Sequence, residues 1–493
     1  MKKFYITNSI PYLNAPPHIG HALEFVETDV IARFYRQKYR QKGEEVFYLN
    51  GTDEHGTKIS RSAAAAGKTP QQFVDELASV FYGLKDALNL SFDNFIRTSD
   101  RERHWPVAQE LWKKIEAAGD LYKKSYEGLY CVGHEAFVTA KDLQDGVCAV
   151  HKKAPEKIVE ENWFFRLSRH GEEIAAAIER DELRIVPESR KNEMLNFIKE
   201  GLTDTSFSRP KANLDWGIPV PGDDTQVMYV WADALSNYIS GYGDGSVGRR
   251  MDRWMEHPAD AHVIGKDILR FHAVIWPAML MAAGLPLPKS IFVHGFVTVN
   301  GEKMSKSIGN VVDPFEFVKK YGADAVRYYL LREIPAGEDG DFSEEKFKER
   351  YNGDLANGLG NVVARVAALG EKLGDIEITK SDAHLFDFKK QERPDLETWF
   401  AEFKFDKLLI GIFDAVHNLD RTIAREEPWA NKNQEELKNQ IIRYAAHILF
   451  IADALVPFLP ETAEKIKRQF HFNDAATPAI LRIKKTAGLF PRI

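Results

Sequence analysis

The sequence predicts an α/β protein with a parallel sheet, a small β-rich insertion and a C-terminal α-helical bundle. Three observations lead to this fold class. Strand, helix and strand patterns follow one another in residues 3–49, short strands and turns fill residues 120–222, and beyond Asp354 nearly every stretch has helical periodicity. Strands that alternate with helices predict βαβ units and therefore a parallel sheet.

The first βαβ unit is the clearest element. The segment KFYITN at residues 3–8 is short, apolar and typical of a buried strand. Residues 19–41 repeat apolar side chains at the spacing of one helical face, and residues 46–49 form a second apolar strand that runs into Asn-Gly-Thr-Asp-Glu-His-Gly. Ligands bind parallel sheets at the carboxyl ends of their strands, so both loops after these strands are candidate binding loops.

The remaining elements complete a division into five parts. Thr69 and Pro70 predict the start of another helix, and the α/β pattern resumes at residues 227–231, 262–265 and 291–293. We therefore predict the first half of the α/β domain at 1–118 and an inserted domain at 119–225. The second half of the α/β domain is then 226–299, a linker region with a basic loop is 300–353, and the helical domain is 354–493.

Composition limits the class of protein. A chain of 493 residues predicts two to four domains, and a net charge of −7 argues against a surface that is basic throughout, although a local basic groove remains possible. The start of the chain lacks the apolar region of a signal peptide, and no run of 18 apolar residues occurs. We expect a cytoplasmic protein. Two cysteines do not make a disulfide framework.

A first motif, Pro17-His18-Ile19-Gly20-His21, lies between the first strand and its helix. The amino end of a helix presents unpaired N–H groups and a positive dipole end to a phosphate, and the glycine permits close approach. Two histidines one helical step apart can donate hydrogen bonds to phosphate oxygens. Taken alone, the motif is equally compatible with two half-exposed histidines at a helix start.

A second motif, Lys303-Met304-Ser305-Lys306-Ser307, follows Asn300-Gly301-Glu302 in a polar loop. Its two lysines can hold a triphosphate as point charges. A lysine pair by itself is more often part of a solvated loop. The two motifs in this order, each next to a sheet strand, are the paired signatures HIGH and KMSKS of the class I aminoacyl-tRNA synthetases, which this sequence resembles.

Within that class the chain resembles the methionyl-tRNA synthetases, of the bacterial or organellar type, along nearly its whole length. The resemblance includes Ile10-Pro11-Tyr12, residues 51–56 (GTDEHG), residues 229–235 (YVWADAL), residues 264–268 (IGKDI) and residues 271–280. It implies a class I Rossmann-like catalytic domain and a ligase that forms methionyl-adenylate from methionine and ATP. The methionyl group would then pass to tRNA(Met), initiator tRNA included.

The resemblance also implies a methionine pocket. A long, polarisable thioether favours aromatic surroundings with at most one hydrogen-bond donor. The residues that match the family's pocket are Ile10, Tyr12, Trp231, Ala234, Leu235, Tyr238, Ile268 and His272. Asp53 would hold the α-ammonium group, and Arg209 would orient Asp53. Leu235 stands where many family members carry proline, and each aromatic residue taken singly is more often a core residue.

For ATP, the resemblance assigns the phosphates and base side to His18, Gly20 and His21, the ribose to Gly265 and Asp267, and the adenine to Val297. Lys303 and Lys306 would hold the pyrophosphate. The methionine carboxylate would attack the α-phosphate, so no protein nucleophile would be needed, and catalysis would consist of positioning and charge stabilisation, with Mg²⁺ on the phosphates. The catalytic residues would be His18, His21, Lys303 and Lys306.

Both cysteines belong to one constellation. Cys131 and His134 form one C-x-x-H motif, and Cys148 and His151 form a second, inside the predicted insertion. Zn²⁺ takes four nitrogen or sulfur ligands in a tetrahedron, and paired motifs of this kind commonly supply them. The family carries a zinc knuckle here, with cysteine commoner at position 134. We expect a structural Zn²⁺; the alternative is a decayed site without metal.

The helical region carries candidates for the anticodon. Asn357, Asn361 and Arg365 share one helix face, and Trp429 matches the family's anticodon-binding tryptophan. Single-stranded RNA is recognised by stacking on aromatic rings and by hydrogen bonds to base edges. Burial in the bundle is the alternative for an isolated tryptophan. Since the sequence stops without the C-terminal dimerisation domain of some relatives, we expect a monomer.

Three other functions remain open. A catalytically inactive paralogue that only binds tRNA would be expected to lose His18, His21, Lys303 or Lys306. A synthetase for isoleucine, valine or leucine would need a larger insertion for its editing site. A nucleotidylyltransferase with the HIGH motif would lack the helical domain.

Overall fold

A computed structural model describes residues 3–39, 43–133, 136–138, 143–149, 152–304, 309–379, 381–387, 394–476 and 478–493. The chain forms two compact units. The first contains Met1–Pro17, Tyr35–Asp86 and Leu90–His294, and the second contains His18–Phe34, Ala87–Asn89 and Gly295–Ile493. His21 of the HIGH motif and the whole predicted helical region therefore belong to the second unit.

The strands of the first unit are, in chain order, β1 (Lys3–Asn8), β2 (Glu45–Thr52), β3 (Asn94–Arg97), β4 (Leu121–Cys131), β5 (Ala136–Val138), β6 (Leu143–Gln144), β7 (Val147–Cys148), β8 (Glu156–Phe165), β9 (Arg184–Val186), β10 (Thr205–Ser206), β11 (Ser208–Pro210), β12 (Pro219–Val220), β13 (Asp223–Met228), β14 (Ala261–Gly265) and β15 (Ser290–His294). Those of the second unit are β16 (Val297–Val299), β17 (Glu302–Lys303), β18 (Gly340–Phe342), β19 (Asp375–Ile378), β20 (Phe470–Asn473) and β21 (Ala479–Ile483).

The central sheet of the first unit confirms the predicted fold class. Its six strands lie in the order β3-β2-β1-β14-β15-β9, and every neighbouring pair is parallel. The order reverses between β1 and β14, and such a switch point is where parallel α/β sheets bind ligands. The loops that begin after Asn8 and after Gly265 both start there.

The predicted insertion contains smaller antiparallel sheets. One has the order β10-β8-β4-β5, a second has the order β11-β13-β12, and β6 pairs with β7 as a hairpin. From the same region, β9 joins the central sheet through its pairing with β15. The segment at residues 227–231 differs from its predicted α/β strand pattern: the strand ends at Met228 in the antiparallel sheet, and Val230 begins a short helix.

Helices α1 to α10 are α1 (Ile19–Tyr39), α2 (Thr57–Ala65), α3 (Pro70–Ala87), α4 (Trp105–Ala117), α5 (Gly171–Glu179), α6 (Glu188–Lys199), α7 (Val230–Ala234), α8 (Asn237–Ser240), α9 (Val247–Glu256) and α10 (Trp276–Ala282). Helix α3 begins as predicted. The Thr69 hydroxyl accepts from the Gln72 N–H, and the Gln72 side chain accepts from the Thr69 N–H, which is a capping box.

The helices of the second unit beyond Gly295 are α11 (Pro314–Tyr321), α12 (Ala323–Glu333), α13 (Glu344–Arg350), α14 (Asn361–Gly370), α15 (Pro394–Ala401), α16 (Phe405–Glu426), α17 (Gln434–Leu455) and α18 (Pro460–Gln469). A π-helical segment, Tyr351–Gly360, connects α13 to α14. The region beyond Asp354 is mainly helical, as predicted. Within the described residues, no helix combines the length and apolarity needed to cross a bilayer.

Candidate active site

In the first unit, Asp53 lies where strand β2 ends beside the loop after β1. The Asp53 N–H donates to the Pro11 carbonyl at 2.9 Å, and the Leu13 N–H donates to the Asp53 carbonyl at 3.0 Å. These bonds form an isolated parallel bridge between Tyr12 and Asp53. Backbone pairing therefore fixes the buried Asp53 next to Tyr12, two residues that the sequence places in one pocket.

Gly51 permits a close approach between β2 and the neighbouring strand β3. A methyl group placed on Gly51 would lie 2.2 Å from the Ile96 carbonyl oxygen and 3.0 Å from the Ile10 Cγ2 atom. The first distance is far inside van der Waals contact, and its partner is backbone that cannot swing aside, whereas the second is a tight contact with a side chain. The glycine of the GTDEHG motif is therefore required mainly by its close approach to the Ile96 backbone.

An aromatic wall faces the segment after β14. Trp231 of α7 stacks on Phe271, with ring centroids 3.8 Å apart and planes 6° from parallel, and its edge contacts His272. Phe271 and His272 begin a π-helical segment, Phe271–Ile275. Pro277 follows it in α10 and has no N–H for the Ala273 carbonyl, which accounts for the wider turn.

The protonation of His272 follows from its two partners. Its Nδ1 atom lies 3.0 Å from the Ile268 carbonyl, which can only accept, so Nδ1 carries the proton. The Nε2 atom then accepts from the Tyr238 hydroxyl at 2.7 Å. Burial lowers the pKa of His272 to about 4, so the ring is neutral at pH 7. The Tyr238 hydroxyl hydrogen is thus directed at His272.

The structure brings most of the predicted methionine residues together. One apolar cluster of the first unit contains Tyr12, Trp231, Leu235, Tyr238 and Ile268. Ala234 is buried in the same helix as Trp231.

The Arg209 guanidinium donates to the Ser206 hydroxyl and the Ser208 carbonyl, and it lies over the Tyr229 ring. The predicted pairing of Arg209 with Asp53 stays a prediction.

The predicted ribose residues follow β14. Gly265 ends the strand and is buried, whereas Asp267 is exposed. A methyl group on Gly265 would lie 2.9 Å from an Asp267 carboxylate oxygen, so that carboxylate folds back over the glycine. The exposed Asp267 carboxylate lies beside a glycine at the switch point of the sheet, so it can accept hydrogen bonds from the hydroxyl groups of a sugar.

In the second unit, the HIGH motif forms the first turn of α1. The Gly20 N–H donates to His18 Nδ1, and the His18 N–H donates to His21 Nδ1, both at 3.1 Å. Each Nδ1 is therefore an acceptor, and the proton of a neutral ring must be on Nε2. Burial lowers the pKa of His18 to about 4, so His18 is neutral at pH 7 and presents an Nε2–H donor.

The KMSKS loop begins as a hairpin in the second unit. Asn300 and Gly301 both have positive φ, 53° and 79°, and join β16 to β17 as an Asn-Gly turn. The Gly301 N–H donates to the Asp341 carboxylate at 2.7 Å, and the Thr298 hydroxyl donates to the same oxygen at 2.8 Å. This turn leads to Lys303, which pairs with Thr298 in the strand register.

The two signature motifs lie together within the second unit. A methyl group on Gly20 would be 3.6 Å from the Met304 methyl carbon, and the Ile19 N–H donates to the Val312 carbonyl. Val297, the predicted adenine contact, is buried in β16. Lys306 lies outside the described residues, and the description of Lys303 is limited to its backbone.

The anticodon candidates also belong to the second unit. Trp429 lies on the turn between α16 and α17 and is 54% exposed, so burial in the bundle is not its role. Arg365 of α14 lies 5.3 Å from the Trp429 ring centroid and donates to Asp420 at 2.6 Å. Asn361 is exposed at the start of α14, and the exposed Asn357 lies in the preceding π-helical segment.

For the predicted metal site, only the cysteines can be placed. Cys131 at the end of β4 and Cys148 at the end of β7 are buried in one small cluster with Val138. Backbone bonds between Cys148 and residues 152 and 153 form a tight turn after the second cysteine. His134 and His151 lie outside the described residues, and the described residues alone contain no group of three potential ligands.

Sequence reasoning missed two parts of the site. Phe271 precedes a predicted pocket residue, but only the structure shows that it stacks on Trp231. Asp341 is far from the KMSKS motif in sequence, and no motif marks it. Only the pairing of β18 with β16 shows that it contacts the turn before Lys303.

Comparisons with known proteins identify the family. A family model described as class I tRNA synthetases (M) matches residues 4–141 and 136–367. The methionine–tRNA ligase of Clostridium acetobutylicum is 43% identical over 514 aligned residues, which cover 100% of this chain and 78% of that protein. The methionine–tRNA ligase of Brucella suis biovar 1 is 42% identical, with 95% of this chain and 93% of that protein covered.

Solved structures give the same result. Mycobacterium tuberculosis methionyl-tRNA synthetase in complex with methionyl-adenylate matches with a TM-score of 0.90 and 38% identity, and the match covers 100% of both chains. The apo form of the same enzyme matches with a TM-score of 0.82 and 34% identity, covering 100% of this chain and 98% of that one.

Proposed function

This chain belongs to the methionyl-tRNA synthetases, a family of class I aminoacyl-tRNA synthetases, and on that premise we propose how its residues carry out the reaction. It is a methionine–tRNA ligase that activates L-methionine with ATP and charges tRNA(Met). A carboxylate oxygen of methionine attacks the α-phosphorus, the bond to the β-phosphate breaks, and pyrophosphate leaves. A ribose hydroxyl of the terminal adenosine then attacks the adenylate carbonyl, and AMP leaves.

The observation that carries the proposal is the meeting of the HIGH turn with Met304 of the KMSKS loop inside one compact unit. His18 and His21 would donate Nε2–H bonds to phosphate oxygens, where negative charge grows as pyrophosphate departs. Lys303 and Lys306 would hold the leaving group, and Mg²⁺ would accompany the ATP phosphates. Val297 would contact the adenine.

For methionine, Asp53 would hold the α-ammonium group, and the apolar cluster that contains Trp231 would surround the thioether. Because the Tyr238 hydroxyl donates to His272, the sulfur would meet the ring faces and the hydroxyl oxygen, without a donor from Tyr238. The favourable terms would then be dispersion and sulfur–aromatic contact, worth about 0.3–1.5 kcal/mol for each aromatic contact. Gly265 and Asp267 would bind the ribose.

The decisive experiment is ATP–pyrophosphate exchange with purified protein and each of the twenty amino acids, without tRNA. Exchange driven by methionine alone supports the proposal. Exchange with a different amino acid would keep the reaction class and reject the pocket. No exchange with any amino acid, also after tRNA is added, would favour a paralogue that only binds tRNA.

A narrower test concerns Lys306. We expect Lys306→Ala to lower the rate of adenylate formation by about 10²-fold or more, because a charge that contacts the leaving group acts mainly in the transition state. Methionine affinity, measured by equilibrium binding, should change by less than about twofold. Equal losses of rate and methionine affinity would contradict the role.

For the insertion, we propose a structural Zn²⁺ held by Cys131, His134, Cys148 and His151. Supporting it, both cysteines are buried together and a tight turn follows Cys148. Zinc content of the purified protein should be one ion per chain, and Cys148→Ser should lose the metal and lower the melting temperature. A zinc-free chain with unchanged melting temperature would reject the site.

The cytoplasmic location, the monomeric state, the anticodon role of Asn357, Asn361, Arg365 and Trp429, and the five-part domain division belong to the same proposal. Exposure of Trp429 beside Arg365 supports the anticodon role, because a stacking platform must be accessible to a splayed base. Light scattering coupled to gel filtration would measure the oligomeric state.

A further inference from the structure

A buried carboxylate in the first unit joins three chain segments through side chains that the reaction described above does not use. Asp233 of α7 is 1% exposed. One carboxylate oxygen lies 2.7 Å from His55 Nδ1, and the other lies 2.7 Å from His104 Nε2. His104 Nδ1 in turn lies 2.7 Å from the Ser240 hydroxyl at the end of α8.

The hydrogen positions follow from the acceptor. A carboxylate can only accept, so His55 presents an Nδ1–H and His104 presents an Nε2–H. Burial opposes ionisation of Asp233, but the two imidazoles outweigh it and hold the pKa of that carboxyl below its usual value. Within the described part of the chain, His55 Nε2 is buried without a hydrogen-bond partner. The His55 ring is instead held edge-on by Trp105 and Trp216.

The three segments bear directly on the methionine side of the site. Asp233 is in the same short helix as Trp231 and Ala234, two residues of the proposed pocket. His55 lies just after Asp53, which is paired through its backbone with the loop of Tyr12. The Asp233 carboxylate therefore ties the segment of the ammonium ligand to the helix that bears the aromatic wall.

This geometry has a cost that a purely structural site could avoid. Asp233 is a buried ionised group. Of its two partners, His104 uses both ring nitrogens and His55 uses only one, and such an arrangement is less favourable than an apolar contact of the same volume. The advantage of the two hydrogen bonds is their direction, since short bonds of fixed geometry hold a helix in place more tightly than apolar packing does.

We propose that His55, Asp233 and His104 are positioning residues for methionine, which hold the Trp231 helix at a set distance from Asp53 without contacting the substrate. The inference rests on the proposed function and deepens it. It assigns methionine recognition, but not ATP recognition, to this network. The network should therefore act on the KM for methionine and leave the KM for ATP nearly unchanged.

The two histidines use different ring nitrogens, and this permits a matched test. The amide nitrogen of asparagine stands close to the position of Nδ1, and that of glutamine stands close to the position of Nε2. His55→Asn and His104→Gln thus keep the donor to Asp233, whereas His55→Gln and His104→Asn displace it.

In ATP–pyrophosphate exchange, His55→Gln and His104→Asn, which displace the donor, should each raise the methionine KM by about tenfold or more and change the ATP KM by less than about twofold. His55→Asn and His104→Gln, which keep the donor, should leave both KM values within about threefold of the parent. Melting temperatures by circular dichroism report on the fold of each variant. Equal effects of Asn and Gln at both positions, or parallel rises of both KM values, would overturn the proposal.

If His55→Gln and His104→Asn prove insoluble, Ser240→Ala tests the proposal instead, because it removes only the hydroxyl that contacts His104 Nδ1. A methionine KM at least about threefold above the parent, with an unchanged ATP KM, supports the proposal, and a parental methionine KM overturns it. Failure of the parent itself to exchange with methionine would instead reject the proposed function, so the two failures are distinguishable.

Discussion

At the scale of single residues, the roles that we propose for two histidines depend on which ring nitrogen carries the proton. In His18 the Nδ1 atom accepts from the Gly20 N–H of its own turn, so the proton of the neutral ring is on Nε2. In His272 the order is reversed, because the Ile268 carbonyl takes the Nδ1–H. Backbone hydrogen bonds thus make Nε2 a donor in His18 and an acceptor in His272.

This distinction predicts different outcomes for two substitutions of His18. His18→Gln keeps a donor near the Nε2 position, whereas His18→Asn keeps only a group near Nδ1. We expect kcat for pyrophosphate exchange to fall by about tenfold with glutamine and by about 10²-fold or more with asparagine, since one lost transition-state donor costs that much. Methionine KM should hardly change. Equal losses, or a more active asparagine variant, would contradict the assigned tautomer.

His272 predicts an acid dependence of stability. Its pKa is lowered by burial to about 4, so below about pH 6.5 the unfolded chain binds a proton that the folded chain refuses. The free energy of unfolding should therefore fall by about 1.4 kcal/mol for each pH unit between about 6.5 and 4 from this residue. Above pH 7 its contribution is constant.

The measurement compares the parent with His272→Gln by denaturant titration at several pH values. The difference between the two free energies of unfolding should be constant from pH 7 to 8 and should shrink as the pH falls below 6.5. A difference that does not vary with pH would show that His272 titrates alike in both states. Burial also lowers the pKa of His262, which acts in the same direction in both proteins.

At the scale of elements, the first turn of α1 combines a helix start with the proposed phosphate-binding site. Gly20 occupies a helical position where alanine would favour the helix by up to about 1 kcal/mol. A methyl group there would lie 3.0 Å from both Cε1 and Nδ1 of His18. Glycine at this position therefore leaves room for the His18 imidazole, although it makes the helix less stable than alanine would.

Gly20→Ala should separate these two effects. We expect kcat for exchange to fall by about tenfold or more while the melting temperature stays equal or rises, because the imidazole must shift but the helix gains. Gly411→Ala is the matched control, since Gly411 lies within α16 with open space around its Cα. That variant should gain about 0.5–1 kcal/mol of stability with unchanged exchange. Unchanged exchange for Gly20→Ala would reject the packing argument.

At the scale of the whole molecule, the two partial reactions make separate demands on the chain. In our proposal, amino-acid activation needs the HIGH and KMSKS residues, whereas selection of tRNA involves the exposed Trp429 and its neighbour Arg365. Asp420 holds Arg365 in an ion pair beside that ring. An exposed aromatic ring next to a cation suits a stacked base and its phosphate.

Trp429→Ala should therefore spare pyrophosphate exchange and lower kcat/KM for tRNA charging by about 10–100-fold, the value of one lost base stack. Trp429→Phe keeps an aromatic face and should recover most of the charging. Charging with purified tRNA and exchange without it provide the two measurements. Parental charging by the alanine variant would remove Trp429 from the anticodon site.

The sequence by itself determined the parts of this protein whose signals are local. The strand Lys3–Asn8, the capping box before α3 and the helical C-terminal region follow from periodicity, caps and turn residues within a few positions of one another. The paired signature motifs, and hence the family, are also determined by the sequence alone, because the residues of each motif are contiguous.

Only the tertiary structure decided the partners of these local elements. Arg327 is fully buried and bonds Asp29 and the carbonyls of Leu88, Pro457 and Phe458, which no sequence pattern associates with it. The stacking of Phe271 on Trp231 and the hydrogen bonds of His55 and His104 to Asp233 likewise join residues that no sequence pattern associates. Periodicity specifies which face of an element is buried, but the partner of a buried polar group is fixed only when distant segments pack together.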